Sequence, residues 1–198
     1  GAAPSPVRRL VNPYKGLLIA PPAVTGAIGQ IQVSHLRGQP LKEGIRIDNS
    51  LDVVKIEKLH FWPFWSANQA VLDWTEGNGT GIASLRADNP MFSQLFLFAY
   101  RAGVSFAKST CAGNCGITSK PKVSQLDCDF CGIGVEITGQ GTRGVLLEQV
   151  SMQGNAGFGL GLNVAASDVS VILNGGDFAV LTSNGVRAQG NNLAIQVS

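Results

Sequence analysis

The chain is 198 residues long and 44% hydrophobic, enough for one domain with a substantial core. Only 14% of its residues are charged and 25 are glycine, a composition poor in helix formers that argues against a helical protein. The net charge of +2, with Arg8–Arg9 as the only basic doublet, offers no basic stripe for nucleic acid or an anionic membrane surface. No apolar run nears the roughly 20 residues that span a bilayer, so membrane insertion is not expected.

In chain order, residues 1–15, opening "GAAPSP", read as an extended arm or linker, and residues 16–198 as one β domain. The start has no initiator Met, and the end, "LAIQVS", stops inside a strand; both suggest a fragment of a longer chain. The pieces "LLI" at Leu17 and "IQV" at Ile31 read as short strands. From Glu57 a pattern sets in: two polar residues, then Leu or Val, any residue, and a second apolar one. It recurs as "EKLHFW" at Glu57, "SQLFLF" at Ser93, "SQLDCD" at Ser124, "EQVSMQ" at Glu148, "SDVSVI" at Ser167 and "NNLAIQ" at Asn191. The anchors are Leu59, Leu95, Leu126, Val150, Val169 and Leu193, at intervals of 36, 31, 24, 19 and 24 residues.

A second pattern trails the anchors as "GVSF" at Gly103, "GIGV" at Gly132, "GFGL" at Gly157 and "DFAV" at Asp177. Period-two alternation makes these pieces strands, and the Gly, Asn and Asp between them make turns. Each repeat holds two or three short strands, three to a full coil, and has no core of its own, so copies at matching positions must bury their apolar side chains against one another. The expected architecture is therefore all-β: a parallel β-helix, a solenoid of roughly 6–8 coils, with insertions at about 62–80 and 107–122 between early coils.

The first insertion, "FWPFWSANQAVLDWTEGNGTG" from Phe61, holds Trp62, Trp65 and Trp74. Pro63 ends the strand, and "SANQAVLDW", opened by a capping Ser66, predicts a short helix. It is either an aromatic binding loop or a helix whose Ala70, Val71 and Trp74 cover the solenoid's side. In the second insertion lie Cys111 and Cys115, followed by Cys128 and Cys131. Four thiolates at this spacing could close a zinc tetrahedron. A disulfide could close "CAGNC". Alternatively the thiols are buried small hydrophobes, the reading that mid-strand alternation assigns to Cys128.

In "SQLDCDF", Leu126, Cys128 and Phe130 face one way, and Asp127 and Asp129 the other. In-register stacking extends this into columns about 4.8 Å apart. The first outward column is expected to run His60, Phe96, Asp127, Ser151, Ser170, Ala194, and the second Trp62, Phe98, Asp129, Gln153, Ile172, Gln196. Rings next to carboxylates suit a sugar, because aromatic faces stack on its C–H surface and carboxylates accept from its hydroxyls. His60, Trp62, Trp65, Trp74, Phe96 and Phe98 are thus the candidate glycan-binding residues, unless the insertions bury the rings as a second small core. Asp127 and Asp129 are candidate catalytic groups, candidate oxygens for a cation together with Gln153, or plain solvated surface. Their Cα atoms should be about 6.5–7 Å apart, which fits both retaining and inverting glycosidase geometry loosely. The cations a lyase needs, among Lys58, Lys108, Lys120, Lys122 and Arg143, are scattered. No metal or cofactor is expected.

The repeats, together with "GIRIDNSLDVVKIEKLHFWPFW" from Gly44 to Trp65, resemble the single-stranded right-handed β-helix proteins of the pectate-lyase-like superfamily, most of all tailspike-type chains. The likeness covers most of Gly16 to Ser198. It implies a glycan-recognising segment of a phage tailspike or similar extracellular fibre, with a polysaccharide or cell-surface glycan as partner. It also implies a homotrimer or larger assembly, placed outside the cell or on a virion tail. The same resemblance admits a secreted polysaccharide lyase or glycoside hydrolase, or a purely structural spacer.

Overall fold

A computed structural model of the chain describes residues 8–21, 28–64, 67–109, 116–154, 159–179 and 185–198. In chain order its elements are β1 (Arg8–Leu10), β2 (Lys15–Ile19), β3 (Ile31–Ser34), β4 (Leu36–Gly38), β5 (Glu43–Ile47), β6 (Val54–Phe61), α1 (Gln69–Asn78), β7 (Thr80–Ser84), β8 (Met91–Phe98), β9 (Ala102–Phe106), β10 (Lys122–Asp129), β11 (Ile133–Ile137), β12 (Val145–Gln153), β13 (Leu160–Val164), β14 (Val169–Ala179), β15 (Val186–Ala188) and β16 (Leu193–Val197). The protein is all-β with a single helix among the described residues, and its strand pairs are parallel.

Two sheets hold the strands. The first runs β1-β4-β6-β8-β10-β12-β14-β16, with β3 also on β6; the second runs β15-β13-β11-β9-β7-β5-β2. From β4 onward successive strands alternate between the sheets, and from β6 onward each lies beside the strand two before it. The core is the stack of side chains between them, including Ile45, Ile82, Val104, Val135 and Leu162 from the second sheet and Leu59, Leu95, Leu126 and Val150 from the first. Pairing begins before residue 16, because β1 pairs with β4 through Leu10↔Gly38.

The two polar residues ahead of each anchor have a backbone role. Lys58, Gln94, Gln125 and Gln149 all adopt positive φ, between 52° and 55°. They stack in register, because Glu57, Ser93, Ser124 and Glu148 pair in turn. Each left-handed residue bends its strand and breaks the alternation once. In β10, Val123 is buried, then Leu126 and Cys128, a spacing of three and then two. The anchor is therefore the first inward residue after a bend.

The bends are matched by a column of glycines in the second sheet: Gly16, Gly44, Gly81, Gly103, Gly134, Gly161 and Gly185. Each stands one residue ahead of an apolar residue, in "KGLLI", "EGIRI", "TGIAS", "AGVSF", "IGVEI", "LGLNV" and "NGVRA". A β-carbon on Gly81 would lie 2.7 Å from Gly103 O and 2.8 Å from Leu97 Cδ1, and one on Gly134 would lie 2.7 Å from Gly161 O and 3.2 Å from Met152 Sδ. The corner side chains of the first sheet (Phe61, Leu97, Cys128, Met152 and Phe178) press on this column. Only a residue without a side chain lets strand and corner approach so closely.

Several expectations are corrected. The anchor column does not pass from Val150 to Val169: Val150 pairs with Gly176 and Met152 with Phe178, while Val171 pairs with Val145. The 19-residue interval is too short for a full passage through both sheets, and "SDVSVI" aligns with the first half of its neighbour, ahead of the bend. The outward columns therefore continue Asp127, Ser151, Asp177 and Asp129, Gln153, Ala179. For the same reason Asp177, Phe178 and Ala179 of "DFAV" belong to β14 in the first sheet rather than to the second pattern. The helix is capped by Asn68, whose Oδ1 accepts from Ala70 N at 3.0 Å; Ser66 lies outside the described residues. Its buried residue is Thr75, while Ala70 and Trp74 are exposed and Val71 is half-buried.

The cysteine reading changes too. Cys128 is bonded to Cys131 in a disulfide, and both are fully buried, so Cys128 is neither a free thiol nor a zinc ligand. Cys111 and Cys115 lie outside the described residues. Phe130, expected to face inward with Cys128, instead occupies the turn between the two cysteines with φ of 55° and is 37% exposed. The left-handed turn points it away from the core it would otherwise have joined.

Candidate functional site

The outer face of the first sheet carries one column in strict register. Arg37 of β4 pairs with His60 of β6, His60 with Phe96 of β8, Phe96 with Asp127 of β10, and Asp127 with Ser151 of β12. Alternation past the bend sends these side chains outward while Leu59, Leu95 and Leu126 go inward. Beside this column runs a shorter one, Phe98 to Asp129 to Gln153, and Trp62 stands next to it just past the end of β6.

The rings form a continuous ladder. His60 lies edge-on to Phe64 and to Phe96, each at 4.9 Å between centroids. Trp62 meets Phe96 at 5.9 Å and Phe98 at 4.3 Å, and Phe98 meets Phe130 at 5.2 Å. Trp62, Phe64 and Phe130 are 37%, 40% and 37% exposed, a contiguous apolar strip on the surface. Phe96 and Phe98 are half-buried, and both pack against Trp62, which opens the first insertion.

The ladder ends at the aspartates. Asp127 is exposed and Asp129 half-buried. Burial beside the rings, and then the neighbouring Asp127 charge, push the Asp129 carboxyl above its ordinary value. At the other end, burial and the adjacent Arg37 guanidinium hold the His60 imidazole below its ordinary value, which favours the neutral ring.

Of the residues singled out in the sequence, the fold thus brings together His60, Trp62, Phe96, Phe98, Asp127 and Asp129. Trp74 stands elsewhere, on α1, with its ring 5.9 Å from that of Tyr14. Trp65 lies outside the described residues. Phe64, Phe130 and Arg37 also belong to the face, and the sequence reading missed them. Arg37 could have been found from "LRG", whose register with "LHF" places Arg37 beside His60. Phe130 could not, because strand alternation points it inward and only the turn reverses it. Among the described residues no group of three or more His, Cys, Asp or Glu side chains could hold a metal ion. None of their helices is long and apolar enough to cross a membrane.

No protein-family model, curated protein or solved structure matches the chain.

Proposed function

We propose that the two sheets are faces of a right-handed parallel β-helix of the pectate-lyase-like kind, and that the outer face of the first sheet is a glycan-binding platform. The chain would serve as a receptor-binding or scaffold segment of a phage tailspike or similar extracellular fibre. The observation that carries this reading is the continuous ladder from Phe64 to Phe130, partly exposed and ending at two carboxylates. Ring faces stack on the C–H surfaces of pyranoses, and Asp127 and Asp129 accept hydrogen bonds from hydroxyls. A face this apolar calls for an occupant on a soluble surface.

The test is a glycan array read alongside an assay for unsaturated or reducing-end products. Binding that is lost in Trp62→Ala, without products, is the expected result. Absence of binding to any glycan would overturn the platform and leave a structural spacer. A fibre segment is also expected to be trimeric in solution, which light scattering measures.

One observation favours an enzyme, a polysaccharide lyase or glycoside hydrolase, as the second reading. Asp129 is raised by burial and by Asp127, the direction required of a general acid. Product formation that disappears in Asp127→Asn or Asp129→Asn, with binding retained, would establish it in place of the scaffold.

A further inference from the structure

The two ends of the ladder differ in charge. Beyond His60 the face opens into a groove of about 320 Å³ lined by His35, Arg37, Lys58, His60, Gln94 and Phe96. No carboxylate lines it. Arg37 and Lys58 are exposed and form no ion pair with any described residue. The His35 Nδ1 is buried without a hydrogen-bond partner. Side-chain nitrogens thus gather at one end of a surface whose other end holds Asp127 and Asp129.

Building on the glycan-platform reading, we infer that this groove seats an acidic residue of the glycan, a uronate or sulfated sugar, with its anion on Arg37 and Lys58. The guanidinium presents a planar fork that matches a carboxylate or sulfate, and Lys58 adds a point charge. The Gln94 amide supplies neutral donors for the sugar's remaining oxygens. The groove is continuous with the platform, since His60 and Phe96 line it and also stack with each other at 4.9 Å. From Arg37 the column steps through His60 and Phe96 to Asp127, three strand spacings or about 14 Å. An anion is attracted at the first position and repelled at the last. The acidic residue therefore fixes the direction in which the glycan crosses the strands: acid at Arg37, uncharged rings over Phe96 and Trp62, hydroxyls at the aspartates.

The experiment measures binding of alginate, hyaluronan and chondroitin sulfate oligosaccharides, each beside its carboxyl-reduced or desulfated counterpart. The parent protein and the variants Arg37→Gln, Lys58→Gln and Trp62→Ala are compared. At least one acidic form should bind roughly tenfold or more tighter than its uncharged counterpart. Arg37→Gln should remove most of that preference, and Lys58→Gln part of it. Trp62→Ala should weaken both forms. Both exchanged side chains are exposed, and an unchanged circular dichroism spectrum verifies the fold. Equal binding of charged and uncharged forms, or a preference that survives Arg37→Gln, would overturn the acidic seat while leaving the platform intact. Binding of neither form, on these glycans and on the array, would overturn the platform and this inference with it.

Discussion

Replacing Gly81 by Ala probes the contact on which the packing of the two sheets depends. The added β-carbon would sit 2.7 Å from Gly103 O and 2.8 Å from Leu97 Cδ1. Carbon atoms rest about 3.5–4.0 Å from carbon neighbours, so the Leu97 contact must open by most of an ångström, and the closer Gly103 oxygen must also give way. Leu97 is fully buried and has little room to turn. Gly103 O belongs to the backbone of β9, which is held in register by β7 and β11. Overpacking of this kind costs about 1–3 kcal/mol, against which the stiffer unfolded chain returns about 0.4–1. The expected net loss is about 1–2 kcal/mol, a fall in Tm of about 2–8 °C for a chain of this size. Gly77, in α1, is the control, since nothing lies within 4 Å of its β-carbon position. Gly77→Ala should gain about 0.5–1 kcal/mol from helix propensity alone. Urea unfolding followed by far-UV circular dichroism reads both. A Gly81→Ala protein as stable as its parent, or a matching shift in the two variants, would refute the steric account of the glycine column.

Other consequences of the structure can be measured in the same way. Asp129 has its carboxyl raised above 3.8 in the folded protein, so the native state holds its proton more tightly than the unfolded chain and loses stability as pH rises through that window. Asp129→Asn should therefore be more stable than the parent at neutral pH and match it in acid, by less than about 1 kcal/mol because the pair is screened by solvent; pH-dependent urea midpoints check the sign. Reducing the Cys128–Cys131 disulfide, or making Cys131→Ser, should cost roughly 2 kcal/mol from the freed four-residue loop, read as a lower midpoint in dithiothreitol. Tyr100 is fully buried and its hydroxyl donates to Pro40 O at 2.7 Å, so Tyr100→Phe should lose about 1–3 kcal/mol through the unpaired carbonyl; an unchanged midpoint would mean that this bond contributes nothing.

The sequence by itself determined the strand content and most of the alternation. The anchors Leu59, Leu95, Leu126 and Val150 are buried and in mutual register, as their matching contexts required. Side-chain polarity at period two is enough for that, because each strand must bury one face. The glycine column was less legible: of the four copies of the second pattern only that at Gly103 lies on it, because uneven loops displaced those at Gly132, Gly157 and Asp177. Register past Val150 needed the tertiary structure, because apolar spacing before a bend looks the same as spacing after it. The exposure of Phe130 depended on a left-handed turn closed by a disulfide between neighbours in sequence, which alternation cannot encode. The meeting of Arg37, His60, Phe96 and Asp127 also arose only in three dimensions: they are far apart along the chain, and parallel pairing between consecutive strands of the first sheet sets them side by side.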